Sequence, residues 1–141
     1  MSRDDWYRHT SWSAADRAAF YARLERSRSD DNKAQALRSQ ALHLQETGDR
    51  ALLPAALELL DEALARFPAH FAPALTHQQR AAICDALDRP ADAIDSFRAG
   101  VAAQRAFPNA VTRVALAFGM FCLRRNLVDL IRAILEPAFH D

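Results

Sequence analysis

Cys84 follows His77 by seven residues, so on a helix the two side chains share one face two turns apart. An imidazole that takes the proton of a thiol makes a nucleophile, and this pair is the first candidate for covalent chemistry. Cys122 has neither CxxC nor metal-ligand spacing to Cys84. His43, His70 and His77 form no HExxH or similar ligand pattern, so no metal is expected. The carboxylates Asp61 and Glu62, and Asp92 and Asp95, stand near Arg66 and Arg98 at the spacing of exposed ion pairs on a helix. Gly48, Gly100 and Gly119 are isolated, and no glycine-rich phosphate loop exists. These residues suggest neither an active site nor a cofactor.

Composition narrows the remaining classes. A chain of 141 residues suits one domain with a real core. Half of it is apolar, with three glycines and few β-branched residues, which favours helix over strand or disorder. The 18 basic and 18 acidic side chains cancel. A neutral total argues against nucleic acid or an anionic membrane as partner, because either would need an excess of positive charge. Seventeen of the basic residues are Arg and one, Lys33, is Lys, a bias typical of a GC-rich bacterial genome. Two cysteines without a pairing pattern suit a reduced compartment. No apolar run approaches the ~20 residues that span a bilayer, and the polar start MSRDDWYRHTSW lacks the apolar stretch of a signal peptide. The expectation is a soluble, cytoplasmic protein.

The elements that position these side chains are helices throughout, about seven. Ser13 and Asp16 have capping-box spacing before a first helix over about 14–28, with Phe20, Tyr21 and Leu24 on one face. A second helix over 32–46 carries Ala34, Leu37, Ala41 and Leu44 as a buried stripe and ends at Gly48. Further helices are expected over 52–66, 71–87, 91–106, 109–125 and 127–136, several of them stopped by Pro68, Pro90, Pro108 or Pro137. Connections this short make consecutive helices antiparallel hairpins.

The hairpins repeat. Ala41, Ala81 and Gly119 are 40 and 38 residues apart; Leu44, Cys84 and Cys122 keep those spacings, as do Gly48, Asp88 and Asn126. In the second helices, Ala56, Ala93 and Ile131 lie 37 and 38 apart, as do Leu60, Phe97 and Leu135, and Ala63, Gly100 and Ala138. Pro68 and Pro108, each after Phe, close the first two units. This register reassigns the chemical candidates. A cysteine that exchanges with Leu44 is a core residue, since a free thiol packs as a small apolar group. His77 exchanges with Leu37 and Ala115 and reads as semi-buried. The small residues, Gly100 and Gly119 among them, would let helix axes approach closely.

The order of small, bulky, small and proline, clearest in "PAALELLDEALARFP" (54–68) and "PADAIDSFRAGVAAQRAFP" (90–108), resembles the tetratricopeptide repeat, a helix–turn–helix unit of about 34 residues. The units here are 37 to 40 residues long and lack the aromatic that usually opens the first helix. The segment "DDWYRHTSW" ahead of such a repeat also resembles bacterial tetratricopeptide-containing proteins without an assigned activity. The resemblance implies an all-α, right-handed solenoid of helical hairpins. Residues 1–30 would form an aromatic segment and capping helix; residues 31–141 would form one continuous domain of three hairpins, about 34–68, 71–108 and 109–138.

In that family the first helices of the hairpins line a concave, peptide-binding surface. Carried onto this chain, the groove comprises Gln35, Arg38, Leu42 and Gln45, then Gln78, Ala82 and Asp85, then Arg113, Leu116, Met120 and Arg124. Arg at both ends fits an acidic peptide or chain terminus. The plainer reading is that these are solvated helix faces. Trp6, Tyr7 and Trp12 are either a cap on the open end of the stack or a second, anchoring surface for a partner. The expected function is a non-catalytic adaptor for a protein or peptide, with an immunity protein that neutralises a toxin as the alternative. A homodimer through apolar surface at Phe118, Phe121, Leu127 and Phe139 is a further expectation.

Overall fold

In the computed structural model, which describes residues 5–68, 72–108 and 112–133, no strand occurs among the described residues. After a single 3₁₀ turn at Asp5–Tyr7, the helices are α1 (Ala14–Glu25), α2 (Asp30–Glu46), α3 (Leu53–Arg66), α4 (Pro73–Ala86), α5 (Pro90–Ala106) and α6 (Val114–Arg124). Residues 128–133 are helical as well. Among the described residues, no helix is long and apolar enough to cross a membrane.

Local chemistry sets the ends. Ser13 accepts the amide of Asp16 at 3.1 Å, and the Asp16 carboxylate accepts the Ser13 amide at 3.0 Å, closing both halves of the capping box. α1 stops at Glu25, three residues earlier than its sequence pattern suggests. Ser29 must be extended (φ −127°, ψ 155°) to cap α2 through the amide of Asn32, and the chain needs room to leave the helix first. Asp49 caps a 3₁₀ turn, Arg50–Leu52, that delivers the chain into α3. α6 begins at Val114, and Thr112 and Arg113 ahead of it are not helical although the sequence pattern expects helix there. The Thr112 hydroxyl bonds Gln104 and accepts the Val114 amide, a local turn that competes with helix. Residues 69–71, 109–111 and 134–141 lie outside the described residues, and with them Leu135, Ala138, Phe139, His70 and the expected ends of the fourth, sixth and last helices.

Three helix ends are built alike. Gly48, Asp88 and Asn126 have φ of 77°, 58° and 57°, and they are the left-handed residues of the described chain. At the second end the Arg89 amide bonds the Cys84 carbonyl at 2.8 Å; at the third, the Leu127 amide bonds that of Cys122 at 2.8 Å. At the first end the Thr47 hydroxyl intervenes, donating to the Leu44 carbonyl and accepting from the Asp49 amide. The ends of α3 and α5 also match: Phe67 and Phe107 have φ of −132° and −130°, and each amide bonds the carbonyl four residues back at 3.0 Å.

The packing is pairwise. α2 lies against α3 and α4 against α5; α3 joins the two pairs, and α6 packs on α5. The first helices also touch in series, α2 to α4 and α4 to α6. The core runs through all of them, with Leu37, Ala41, Leu44, Ala56, Leu60, Ala63, Ala81, Cys84, Ala93 and Cys122 fully buried and Phe97 nearly so. Phe97 stacks on Phe118 (centroids 5.0 Å apart) and tilts against Phe121 at 5.2 Å. That corrects the expected apolar surface: Phe118 and Phe121 are core and Leu127 is half-buried. The exposed apolar side chains of this region are Leu116, Met120, Leu123 and Val128.

A close approach requires glycine at position 100. A Cβ there would sit 2.7 Å from Val114 Cγ2 and 3.3 Å from His77 Cβ. Gly119 differs from its expectation, since a Cβ there meets no atom within 4 Å. It lies on a side of α6 that no described helix covers, so close packing does not explain it.

Candidate functional site

Since α2, α4 and α6 each turn one face the same way, the residues at their helical spacings come together in an open cleft of about 810 Å³. α2 contributes Arg38, Leu42 and Gln45; α4 contributes Leu75, Gln78, Gln79, Ala82, Asp85 and Ala86; α6 contributes Ala117, Met120 and Arg124; Phe97 of α5 closes the floor. Eight residues read from the sequence therefore meet here: Arg38, Leu42, Gln45, Gln78, Ala82, Asp85, Met120 and Arg124. Gln35, Arg113 and Leu116 do not. Gln35 lines a smaller pocket with Trp6 and Tyr7, Arg113 is exposed ahead of α6, and Leu116 is exposed beside the cleft. Leu75 was missed although helical spacing carries its signal, for it stands three residues before Gln78 on α4. Nothing in the sequence marks Phe97, a second-helix residue, as reaching the floor.

The cleft is apolar in patches and unevenly charged. Leu42, Leu75 and Met120 are 41%, 37% and 55% exposed. Asp85 is held by Arg124 (3.1 Å) and by Arg125, whose Nε lies 2.8 Å from its carboxylate and whose terminal nitrogen donates to the Asp85 carbonyl. Among the described residues, no carboxylate pairs with Arg38. Its Nε is buried and unbonded, and burial pulls its pKa below the usual guanidinium value. The terminal oxygens of Gln45 and Gln78 are also buried without a hydrogen bond. Gln79 also lines the cleft, and its side-chain amide donates to the Arg38 carbonyl at 2.9 Å, tying α4 to α2.

The other chemical candidates fall outside this cleft. Cys84 and Cys122 are fully buried, and desolvation raises both thiol pKa values, which opposes thiolate formation. Arg80 reaches Asp61 on α3 at 2.6 Å and Ser96 on α5 at 2.6 Å, and its guanidinium lies 3.8 Å from the Cys84 sulfur. Asp61 thus pairs across helices rather than along its own, whereas Glu62 and Arg66 pair at i,i+4 (2.8 Å). No ion pair joins Asp92 or Asp95 to Arg98 among the described residues. No three His, Cys, Asp or Glu side chains among the described residues are grouped to hold a metal.

The N-terminal aromatics pack onto the helices. Trp6 and Trp12 each lie 5.5 Å from Phe20, Tyr7 meets Trp6 edge-on, and all three are partly buried. The Tyr21 hydroxyl donates to Glu62 at 2.7 Å, anchoring α1 to α3; burial and the Glu62 charge push its pKa up.

A comparison with family models, curated proteins and solved structures found no match for this chain.

Proposed function

We propose that the helix pairs form a lengthened tetratricopeptide-like stack whose concave face docks a polypeptide, and that the protein is a non-catalytic adaptor. The serial contact of α2, α4 and α6 and the three left-handed helix ends at repeat spacing support the stack. One observation carries the docking reading: α2, α4 and α6 line a single open cleft of about 810 Å³ in which Leu42, Leu75 and Met120 stand exposed. Exposed Leu42, Leu75 and Met120 beside the polar side chains of Gln78, Asp85 and Arg124 suit a ligand that is both polar and apolar, as a peptide is.

The test is selection from a displayed library of random dodecapeptides, followed by anisotropy measurements on the enriched sequences. Peptides should bind the native protein and lose at least tenfold in affinity to a variant carrying Leu42→Glu and Met120→Glu. Enrichment of nothing, or equal binding to the variant, would remove the cleft from consideration.

A further inference from the structure

We infer that the protein pairs with a second copy of itself, α6 packing antiparallel on the other copy's α6 about a two-fold axis between Gly119 and Met120. The surface is the outer side of α6, away from the core, and the inference stands independently of the docking reading above.

α6 reads VALAFGMFCLR and carries one charged side chain, Arg124. Val114, Phe118, Phe121 and Cys122 face the core, yet Leu116, Met120 and Leu123 on the other side stand more than half exposed. A helix that is apolar all round is ordinarily covered all round. With Val128 just past its end, the bare patch is roughly 400 Å², large for a surface that meets only water. The arrangement of the patch names its occupant. Read inward from its two ends, the segment LAFGMFCL (116–123) runs Leu, small, Phe, Gly and Leu, small, Phe, Met. A two-fold axis sets position i against j and j against i. Placed at the middle of this segment, it brings Leu116 against Leu123 of the second copy and Met120 against Gly119. Gly119 leaves a hollow there, since a Cβ would meet no atom within 4 Å, and no described contact accounts for a glycine in mid-helix. Met120 of the other copy fills that hollow, and the two axes come close where they cross. Charge agrees with the direction. Arg113, exposed ahead of α6, forms no ion pair among the described residues. Antiparallel packing sets it at the negative end of the second copy's helix dipole, near exposed Asp129; Arg124 and Arg125 at that end are already held by Asp85 and Asp88. Two such patches with their rims bury about 1,000 Å², the low end for a specific pair, which places the association in the micromolar range.

Sedimentation velocity of the whole chain from about 5 to 500 μM should follow a monomer–dimer equilibrium. Leu116→Glu with Leu123→Glu should weaken it by about tenfold or more. Both leucines are exposed in the single chain and neither lines the cleft, so the variant should melt with the native protein at concentrations where both are monomeric. Gly119→Leu separates a specific crossing from general stickiness. The added side chain enlarges the apolar patch but fills the hollow, so pairing should weaken by about tenfold as well. Direction is read from disulfides: Leu116→Cys mixed with Leu123→Cys should cross-link several-fold faster than either variant alone, because Cys84 and Cys122 are buried and do not compete. A monomer over the whole concentration range, a dimer untouched by the two Glu substitutions, or tighter pairing of Gly119→Leu overturns the inference and leaves the docking reading standing. Faster cross-linking of either cysteine variant with itself overturns the antiparallel arrangement and with it the inference as stated.

Discussion

The amide of His9 donates to Oε1 of Gln40 at 3.0 Å, while Nε2 of Gln40 donates to the His9 carbonyl at 2.8 Å. One buried side chain thus satisfies both polar groups of a residue 31 positions earlier in the chain. Gln40 is fully buried in α2, where an unbonded amide would be costly. The pairing fixes where the N-terminal segment crosses the helices, and it lays Trp6 and Trp12 against Phe20.

Gln40→Leu should therefore cost about 1–3 kcal/mol, since it leaves the His9 amide and carbonyl without their partner. The chain's two tryptophans both lie in this segment, so fluorescence reports on it selectively. Urea unfolding should shift to lower midpoint, and the folded-state emission should move to the red. An unchanged midpoint and spectrum would mean that the aromatic contacts alone hold the segment.

Two glycine substitutions should act with opposite sign. Gly100→Ala places a methyl 2.7 Å from the stiff, buried Val114 side chain and should destabilise by about 1–3 kcal/mol, less up to ~1 kcal/mol of gained helix propensity. Gly119→Ala meets open space in the middle of α6 and should stabilise by about 0.5–1 kcal/mol. Thermal melts of the two variants check this; a shift in the same direction for both contradicts it.

Asp16 predicts an acid dependence. Bonds from the Ser11 hydroxyl and from Ser13 lower its pKa from 3.8 to about 2. A carboxyl whose folded pKa lies below its unfolded value adds stability that is complete above pH ~4 and is lost as the pH falls through about 2. Carboxyl carbon NMR should give Asp16 a midpoint near 2. Asp16→Asn should remove that part of the pH dependence and fray the start of α1. A midpoint at the ordinary value would show that the capping box is open in solution.

Thiol chemistry separates adaptor from enzyme. Cys84 and Cys122 are fully buried with raised pKa values, so an aromatic disulfide reagent at pH 8 should titrate neither in the native protein and both in denaturant. Rapid native reaction at Cys84 would restore the Cys84–His77 pair as a candidate for chemistry.

Much of the helical layout was legible because its determinants are local. Ser13 with Asp16, Ser29, Gly48 and the prolines act through backbone geometry within a few residues, and the left-handed turns at Gly48, Asp88 and Asn126 fall where the 40- and 38-residue spacings align them. Errors came where a local pattern met a competing bond. Thr112 delayed α6 by bonding to Gln104, and Asp61 turned from its own helix to Arg80.

Eight cleft residues were readable because positions three and four apart along α2, α4 and α6 share one helix face. Composition, helix periodicity and register, all properties of neighbours along the chain, were determined by the sequence alone. Which face of α6 is buried, that Phe97 reaches the cleft floor, that Gln40 bonds His9 and that Arg38 pairs with no carboxylate among the described residues were decided only by tertiary structure. Each of these depends on the distance between groups many residues apart, and burial and ion pairing are fixed by those distances rather than by spacing along the chain.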